Sequence, residues 1–139
     1  MRILGLDVGT KRVGIAISDP DEILASSLLV AEREKAIERI AELSLEYQVA
    51  EIVCGLPLKM DGQIGSQAED VLAFVDKLKE RLNLPIATLD ERLSTKQVER
   101  ILGSGKKHRG IIDKLAAQVI LQTFLDRRQL LTKLGNILE

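Results

Sequence analysis

The sequence is poor in aromatic residues, cysteine and histidine, and each shortage argues against a class of structure or site. Aromatic residues make up 2% of the 139 residues. The core must therefore be aliphatic, and a broad base-stacking platform of the kind found in single-strand-binding proteins is not expected. Cys54 is the only cysteine and lies in an apolar run, which predicts a small buried side chain and no disulfide framework. A single histidine beside a single cysteine also argues against a zinc site.

The chain also lacks a large net charge and a long apolar segment. Its formal net charge is −1, so a polyanion would have to bind through local basic patches. No segment approaches the length of a membrane span, and the first residues read as a core strand, not as a signal peptide. We therefore expect a soluble cytoplasmic protein with a single domain over residues 1–139.

Hydrophobic periodicity predicts the element order β-β-β-α-β-α-β-α-α. The chain begins with a hairpin whose two apolar runs are joined by the turn Gly9-Thr10-Lys11-Arg12. Two capping-box patterns, at residues 66–69 and 94–97, predict helix starts. The order describes a mixed α/β sheet with helices packed on its faces. The later predicted elements are strands at 27–30, 50–55 and 86–89 and helices at about 33–48, 66–83, 94–102 and 112–131.

Acidic residues in three separated segments lie within or at the ends of predicted core elements. Asp7 lies within an apolar strand, Asp90 and Glu91 end the last strand, and Asp113 opens the last helix on its small apolar face. Taken singly, each has a structural explanation, such as holding a turn or favouring a helix dipole. Together they are placed to converge, and crowded carboxylates require a divalent cation. Oxygen ligands suit Mg²⁺ or Mn²⁺, and such ions suit phosphodiester cleavage.

The motifs along the chain resemble those of the YqgF family, also called RuvX. They cover essentially the whole chain in the right order, and the set is far more specific than any one member. The matching stretches are Gly5–Ala16, Gly55-Leu56-Pro57 with Asp61-Gly62, Asp90–Thr95, and Asp113–Ala117 with Ile120-Leu121-Gln122.

This resemblance implies a ribonuclease H-like fold, a five-stranded mixed sheet with the second strand antiparallel and helices on both faces. By motif position it implies that Asp7, Glu91 and Asp113 are the catalytic, metal-binding carboxylates, with one or two Mg²⁺ or Mn²⁺ ions as cofactor. Neighbouring residues in a strand face opposite ways, so the sequence leaves Asp90 and Glu91 as alternatives, and the family pattern favours Glu91. The further acid that RuvC-type resolvases carry near the last aspartate is alanine here, at position 116.

Basic residues cluster next to these acids in the sequence. They predict contacts to a nucleic-acid backbone, although each alone reads as a surface charge. His108 reads as exposed or as a backbone contact, not as a general base, and Arg127-Arg128 reads as surface. The predicted nucleic-acid-binding residues are Lys11, Arg12, Arg92, Lys106, Lys107 and Arg109.

The resemblance implies a metal-dependent endonuclease that processes the 5′ end of pre-16S rRNA in ribosome biogenesis. The alternative is a Holliday junction resolvase acting on branched DNA, which should be a two-fold dimer. Two weaker alternatives are a single-domain relative of the actin/Hsp70 ATPases and a non-catalytic RNA-binding assembly factor. The expected partners are pre-rRNA or branched DNA, with ribosome-assembly factors as further candidates, and the chain is expected to be a monomer or a weak homodimer.

Overall fold

The computed structural model describes residues 1–90 and 109–138, with side chains described up to Asp90 and from Leu115 to Ile137. Five strands and three helices follow one another in the predicted order, and the helix predicted at 94–102 lies outside the described residues. The strands are β1 (Arg2–Val8), β2 (Arg12–Ser18), β3 (Ala25–Glu32), β4 (Val49–Leu56) and β5 (Ile86–Asp90), and the helices are α1 (Arg33–Glu46), α2 (Ser66–Arg81) and α3 (Arg109–Leu138).

The strands form one mixed sheet in the order β3-β2-β1-β4-β5. Strand β2 is antiparallel to both β1 and β3, whereas β4 is parallel to β1 and to β5. The predicted five-stranded mixed sheet with an antiparallel second strand is therefore confirmed. Because β1, β4 and β5 run the same way, their carboxyl ends meet at one edge of the sheet, where ligands of α/β proteins commonly bind.

Two apolar clusters cover the two faces of the sheet, which confirms the prediction of helices on both sides. Alternate residues of β1 separate cleanly: Leu4, Leu6 and Val8 pack with α1 and α2, whereas Ile3 packs with α3. Gly5 and Asp7 follow Ile3 at the strand period of two, so they belong to the α3 face. Cys54 is fully buried between β-sheet and helices on the α1/α2 side, as predicted.

Helix α3 lies unusually close to β1 because Gly5 has no side chain. A Cβ at Gly5 would lie 2.6 Å from Leu121 Cβ and 3.2 Å from the carbonyl oxygen of Ala117. The helix also runs antiparallel to β1, since the later residue Arg128 bonds to Glu51, the β4 partner of Ile3. Moving along α3 toward its start therefore means moving along β1 toward Asp7.

The predicted start of α2 at residue 66 is confirmed, but the predicted capping box is wrong. Ser66 is the first residue of α2 and not its cap: Gly65 takes the N-cap position in an extended conformation, and no side chain caps the helix. Two other predicted boundaries were wrong. Strand β3 is longer than predicted because it pairs with β2 along its whole length, from Ala25 to Glu32. Helix α3 also bonds to the start of β3: Gln118 accepts a hydrogen bond from the Ser27 hydroxyl, and Gln122 accepts one from the Ala25 amide. Helix α3 extends beyond the predicted range at both ends.

No helix in the described part of the chain is both long enough and apolar enough to cross a membrane.

Candidate active site

Asp7 stands at the sheet edge where the parallel strands end. It is the last residue but one of β1 and is half-buried. It lines a cleft of about 550 Å³ together with the hairpin turn at Gly9 and Thr10 and the start of α2 at Ser66 and Gln67. The one acid predicted within an apolar strand is thus accessible from a cleft and not sealed in the core.

The turn after Asp7 is held in place by its own backbone and by α1. The Gly9 amide donates to the carbonyl of Arg12 at 2.8 Å, and a Cβ at Gly9 would lie 2.8 Å from that same oxygen. The first residue of α1, Arg33, donates from its amide to the Lys11 carbonyl at 2.9 Å and from its guanidinium to the Gly9 carbonyl at 2.9 Å. Glycine is required at position 9 because the chain folds back on itself there.

Arg33 connects this turn to α2, and sequence reasoning missed it. Its guanidinium forms a bidentate pair with Asp70, with nitrogen–oxygen distances of 2.7 and 2.9 Å, and stacks over the Phe74 ring at 5.5 Å from the centroid. Arginine at the start of a helix gives no local signal that it will reach a residue 37 positions later. Through these contacts, Arg33 holds the hairpin turn against α2 beside Asp7.

Asp90 lies on the face of the sheet opposite to Asp7. The preceding residue, Leu89, packs in the α3 cluster, whereas Ile86 packs against the α1/α2 cluster. Side chains alternate along a strand, so Asp90 shares the α1/α2 face with Ile86. Of the two alternatives that the sequence left open at the end of β5, Asp90 therefore does not share the face of Asp7.

The other two predicted carboxylates, Glu91 and Asp113, lie outside the residues whose side chains the structure describes. Asp113 belongs to α3, four residues before Ala117, and Glu91 lies outside the described residues. Among residues 1–90 and 115–137 no three acidic, histidine or cysteine side chains lie close enough together to hold a metal ion. Two of the three predicted metal ligands, Glu91 and Asp113, lie outside those residues, so the triad stays a prediction.

The predicted basic residues divide in the same way. Lys11 is exposed and Arg12 half-buried, and both line a second cleft of about 890 Å³ that also includes Lys77 of α2. This cleft adjoins the Asp7 cleft, because Thr10, Arg33 and Asp70 line both. Arg109 is the first residue of α3, and the remaining predicted contacts, Arg92, Lys106 and Lys107, lie outside the described residues.

Arg128 is more than the free surface charge that the sequence suggests. It forms a bidentate pair with Glu51 at 2.7 and 2.9 Å and stacks on Phe124 at 4.4 Å from the ring centroid. The hydrogen bonds to Glu51 raise the pKa of the Arg128 guanidinium. The pair joins α3 to β4 at the end of the sheet opposite to Asp7, so its role is structural.

Comparison with known proteins identifies the family. Residues 1–127 match the RuvX family, which is described as Holliday junction resolvase. The chain belongs to the RuvX family. A relative from Desulforamulus reducens is 50% identical over 133 residues, covering 91% of this chain and 97% of its own, and is named, provisionally, as a pre-16S rRNA nuclease. A relative from Desulforudis audaxviator with the same name is 43% identical and covers 93% of this chain and 96% of its own.

Solved structures agree with the RuvX assignment at the level of the fold. Thermus thermophilus RuvC superposes with a TM-score of 0.56 at 15% identity, covering 93% of this chain and 97% of its own. The Holliday junction resolvase of fowlpox virus superposes with a TM-score of 0.50 at 11% identity, covering 91% and 99%. The predicted family and the ribonuclease H-like fold class are confirmed.

Proposed function

We propose that this protein is a metal-dependent endonuclease that cleaves RNA phosphodiester bonds, with the 5′ end of pre-16S rRNA as its substrate. The observation that carries the proposal is the position of Asp7, at the edge where β1, β4 and β5 end and on the sheet face that α3 covers. The names of the RuvX relatives support both the reaction and the substrate. Such a substrate is cytoplasmic in bacteria, in line with the predicted location.

The packing of α3 supports convergence of Asp113 with Asp7. Gly5 contacts Ala117, and the helix runs antiparallel to β1. From Gly5, two residues along β1 lead to Asp7, a step of about 7 Å. From Ala117, four residues toward the helix start lead to Asp113, a step of about 6 Å in the same direction. The backbone positions of Asp7 and Asp113 therefore lie at a similar level along β1, which supports the proposal that both residues contribute to one site.

We assign the third carboxylate to Glu91 and not to Asp90. Leu89 packs on the α3 face, so Asp90, the last residue of β5, lies on the face opposite to Asp7. Asp90 is therefore the weaker of the two candidates. Glu91 is the choice that the family resemblance favours on independent grounds.

The donors in this proposed set suit a hard cation. All three are carboxylates, whereas Cys54 is fully buried on the opposite face of the sheet. We therefore propose Mg²⁺ or Mn²⁺, which would supply charge neutralisation at the phosphate and activation of a water molecule. Asp7, Glu91 and Asp113 would hold the ion, and the basic residues would orient the backbone. These phosphate contacts are Lys11, Arg12, Arg92, Lys106, Lys107 and Arg109.

The second candidate function is cleavage of four-way DNA junctions, which the description of the RuvX family favours. It requires two active sites acting on two strands, and therefore a two-fold dimer. An RNA-processing enzyme needs only one.

The test compares a labelled pre-16S rRNA 5′ fragment with a four-way DNA junction in Mn²⁺, using the wild type, Asp7→Asn and Asp90→Asn. Both substitutions remove one carboxylate charge from the same edge, but on opposite faces of the sheet. We expect RNA cleavage to fall at least about a hundredfold in Asp7→Asn, because the metal supplies several kcal/mol to the transition state. Asp90→Asn should stay close to the wild type.

Equal losses in the two variants would contradict the assignment of Asp7. Symmetric cutting of the junction, without RNA cleavage, would favour the resolvase. If neither substrate is cut and Asp7→Asn binds RNA like the wild type, the chain is a binding factor and not a nuclease.

A further inference from the structure

The loop between β4 and α2, residues 57–65, begins and ends beside the Asp7 cleft. We call it the rim loop. Pro57 at its start lines the cleft, as do Ser66 and Gln67 directly after it. Both ends of this loop therefore lie at the cleft that Asp7 lines.

The rim loop has a defined shape. The Lys59 amide donates to the Gln63 carbonyl at 2.9 Å, and the Gly62 amide donates to the Lys59 carbonyl at 2.8 Å. Gly62 has a φ of 86°, which favours glycine, and the Asp61 carboxylate accepts a hydrogen bond from the Gln63 amide at 3.0 Å. At the neck, the Lys59 side chain packs on Gly65 so closely that a Cβ there would lie 2.8 Å from Lys59 Cε. Such a loop presents its side chains in set directions.

Two large apolar side chains on this loop face solvent. Met60 is 65% exposed and Ile64 is 54% exposed. The cleft between the two ends of this loop combines carboxylate, hydroxyl and amide groups, among them Asp7, Thr10 and Gln67, with apolar side chains such as Val8 and Val71. A cleft of this mixed kind, with an apolar pair on the adjoining loop, matches a ligand that carries a flat apolar surface next to a charged group.

We propose that Met60 and Ile64 form an apolar contact for a nucleobase adjacent to the phosphate held at Asp7. A nucleotide has the required combination, since its base offers an apolar face within one sugar of its phosphate. Methionine and isoleucine are among the side chains that proteins insert against or between bases. The chain has only three aromatic residues, so the stacking that other RNA-binding proteins obtain from aromatic side chains must come from aliphatic ones here.

This inference rests on the proposed function and adds to it. The carboxylates and basic residues bind a phosphate backbone of any sequence. The rim loop instead requires a base that is free to leave its stack, and it therefore selects unpaired nucleotides beside the cleavage site. Met60 and Ile64 are positioning residues.

The test measures binding of a fluorescein-labelled RNA hairpin with a single-stranded flank of about ten nucleotides, in Ca²⁺, by fluorescence anisotropy. The variant is Met60→Ala with Ile64→Ala, and Met60→Leu with Ile64→Val tests rescue by similar shapes. Leu45→Ala is the matched control, because Leu45 is an 83% exposed apolar residue near the start of β4, at the opposite edge of the sheet. A series of RNAs carries one abasic site at each flank position in turn.

We expect the double alanine variant to bind the intact RNA about fivefold more weakly, the size of one lost base contact. Leu45→Ala and the Leu/Val variant should bind like the wild type. One abasic position should weaken wild-type binding by a similar factor and have no further effect on the double alanine variant. A loop with a purely structural role would not produce this loss of additivity.

Two results would overturn the inference. The first is unchanged RNA binding by the double alanine variant. The second is that, at every flank position, an abasic site weakens RNA binding by the same factor in the double alanine variant as in the wild type. If the wild type still cleaves RNA in an Asp7-dependent manner, either result removes the rim-loop contact alone. If the wild type neither binds nor cleaves the RNA, both the proposed function and the rim-loop contact are excluded.

Discussion

Arg33 illustrates how one side chain supports the geometry of the candidate site. It bonds to the Gly9 carbonyl on one side and to the Asp70 carboxylate on the other, and it covers the face of Phe74. Arginine suits this position because its planar fork can serve several acceptors in fixed directions. Lysine has the same charge but offers a single nitrogen.

Arg33→Lys should therefore lower the free energy of unfolding by about 1 kcal/mol, the usual size of a lost hydrogen bond. Urea denaturation of the wild type, Arg33→Lys, Asp70→Asn and the double variant would measure the loss and its coupling. The double variant should be clearly less destabilised than the sum of the single variants. Additive losses would mean that the two side chains act independently.

At the scale of elements, the contact between β1 and α3 links the fold to the site. The helix approaches the strand through Gly5, and its start carries Asp113 toward the edge where Asp7 lies. Any group added at Gly5 meets a backbone oxygen and a buried Cβ, neither of which can move without moving the helix.

Gly5→Ala should destabilise the fold by about 1–3 kcal/mol, as overpacking in a core usually does. It should also slow cleavage by up to about a hundredfold, because a displacement of about 1 Å is enough to misplace reacting groups. Thermal unfolding and RNA cleavage would be measured on the same preparation.

Gly135→Ala is the matched control, since a Cβ at position 135 of the same helix meets no atom within 4 Å. That variant should gain up to about 1 kcal/mol from helix propensity and keep full activity. If Gly5→Ala were as stable and active as Gly135→Ala, the close approach of α3 would not matter for the site.

For the whole molecule, the distribution of charge matters more than its total. The net charge of −1 provides no general attraction for nucleic acid. In the described part of the chain, Lys11, Arg12 and Lys77 nevertheless line one cleft that adjoins the Asp7 cleft, and Glu32 and Glu34 offset part of their charge there. RNA binding should therefore depend on these local charges.

Replacing Lys11 and Arg12 together by glutamine should flatten the dependence of log affinity on log salt concentration by about 1.4, as two lost contacts to single-stranded RNA predict. The matched control replaces Lys79, in the last turn of α2, and Arg127, on the exposed face of α3, by glutamine. It makes the same change in net charge away from the cleft and should leave the slope unchanged. Equal slopes for both variants would mean that RNA senses only the total charge.

Much of this architecture is readable along the chain because it depends on near neighbours. The uninterrupted apolar run of β1 requires burial on both faces, and the spacing of Ala36, Ile37 and Ile40 requires a helix with one apolar side. The acidic residue types and the motifs around them likewise predict the family and its nuclease chemistry before any packing is known.

Other features arise only when distant segments pack together. Asp90 and Glu91 are equivalent candidates in the sequence, and only the packing of Leu89 on the α3 face shows that Asp90 lies on the face opposite to Asp7. The Arg33–Asp70 pair, the hydrogen bonds from α3 to the start of β3, and the fit of Gly5 under Leu121 all join residues far apart in the chain. Local patterns cannot report such contacts, because their energy depends on distances that exist only after the sheet and helices have assembled.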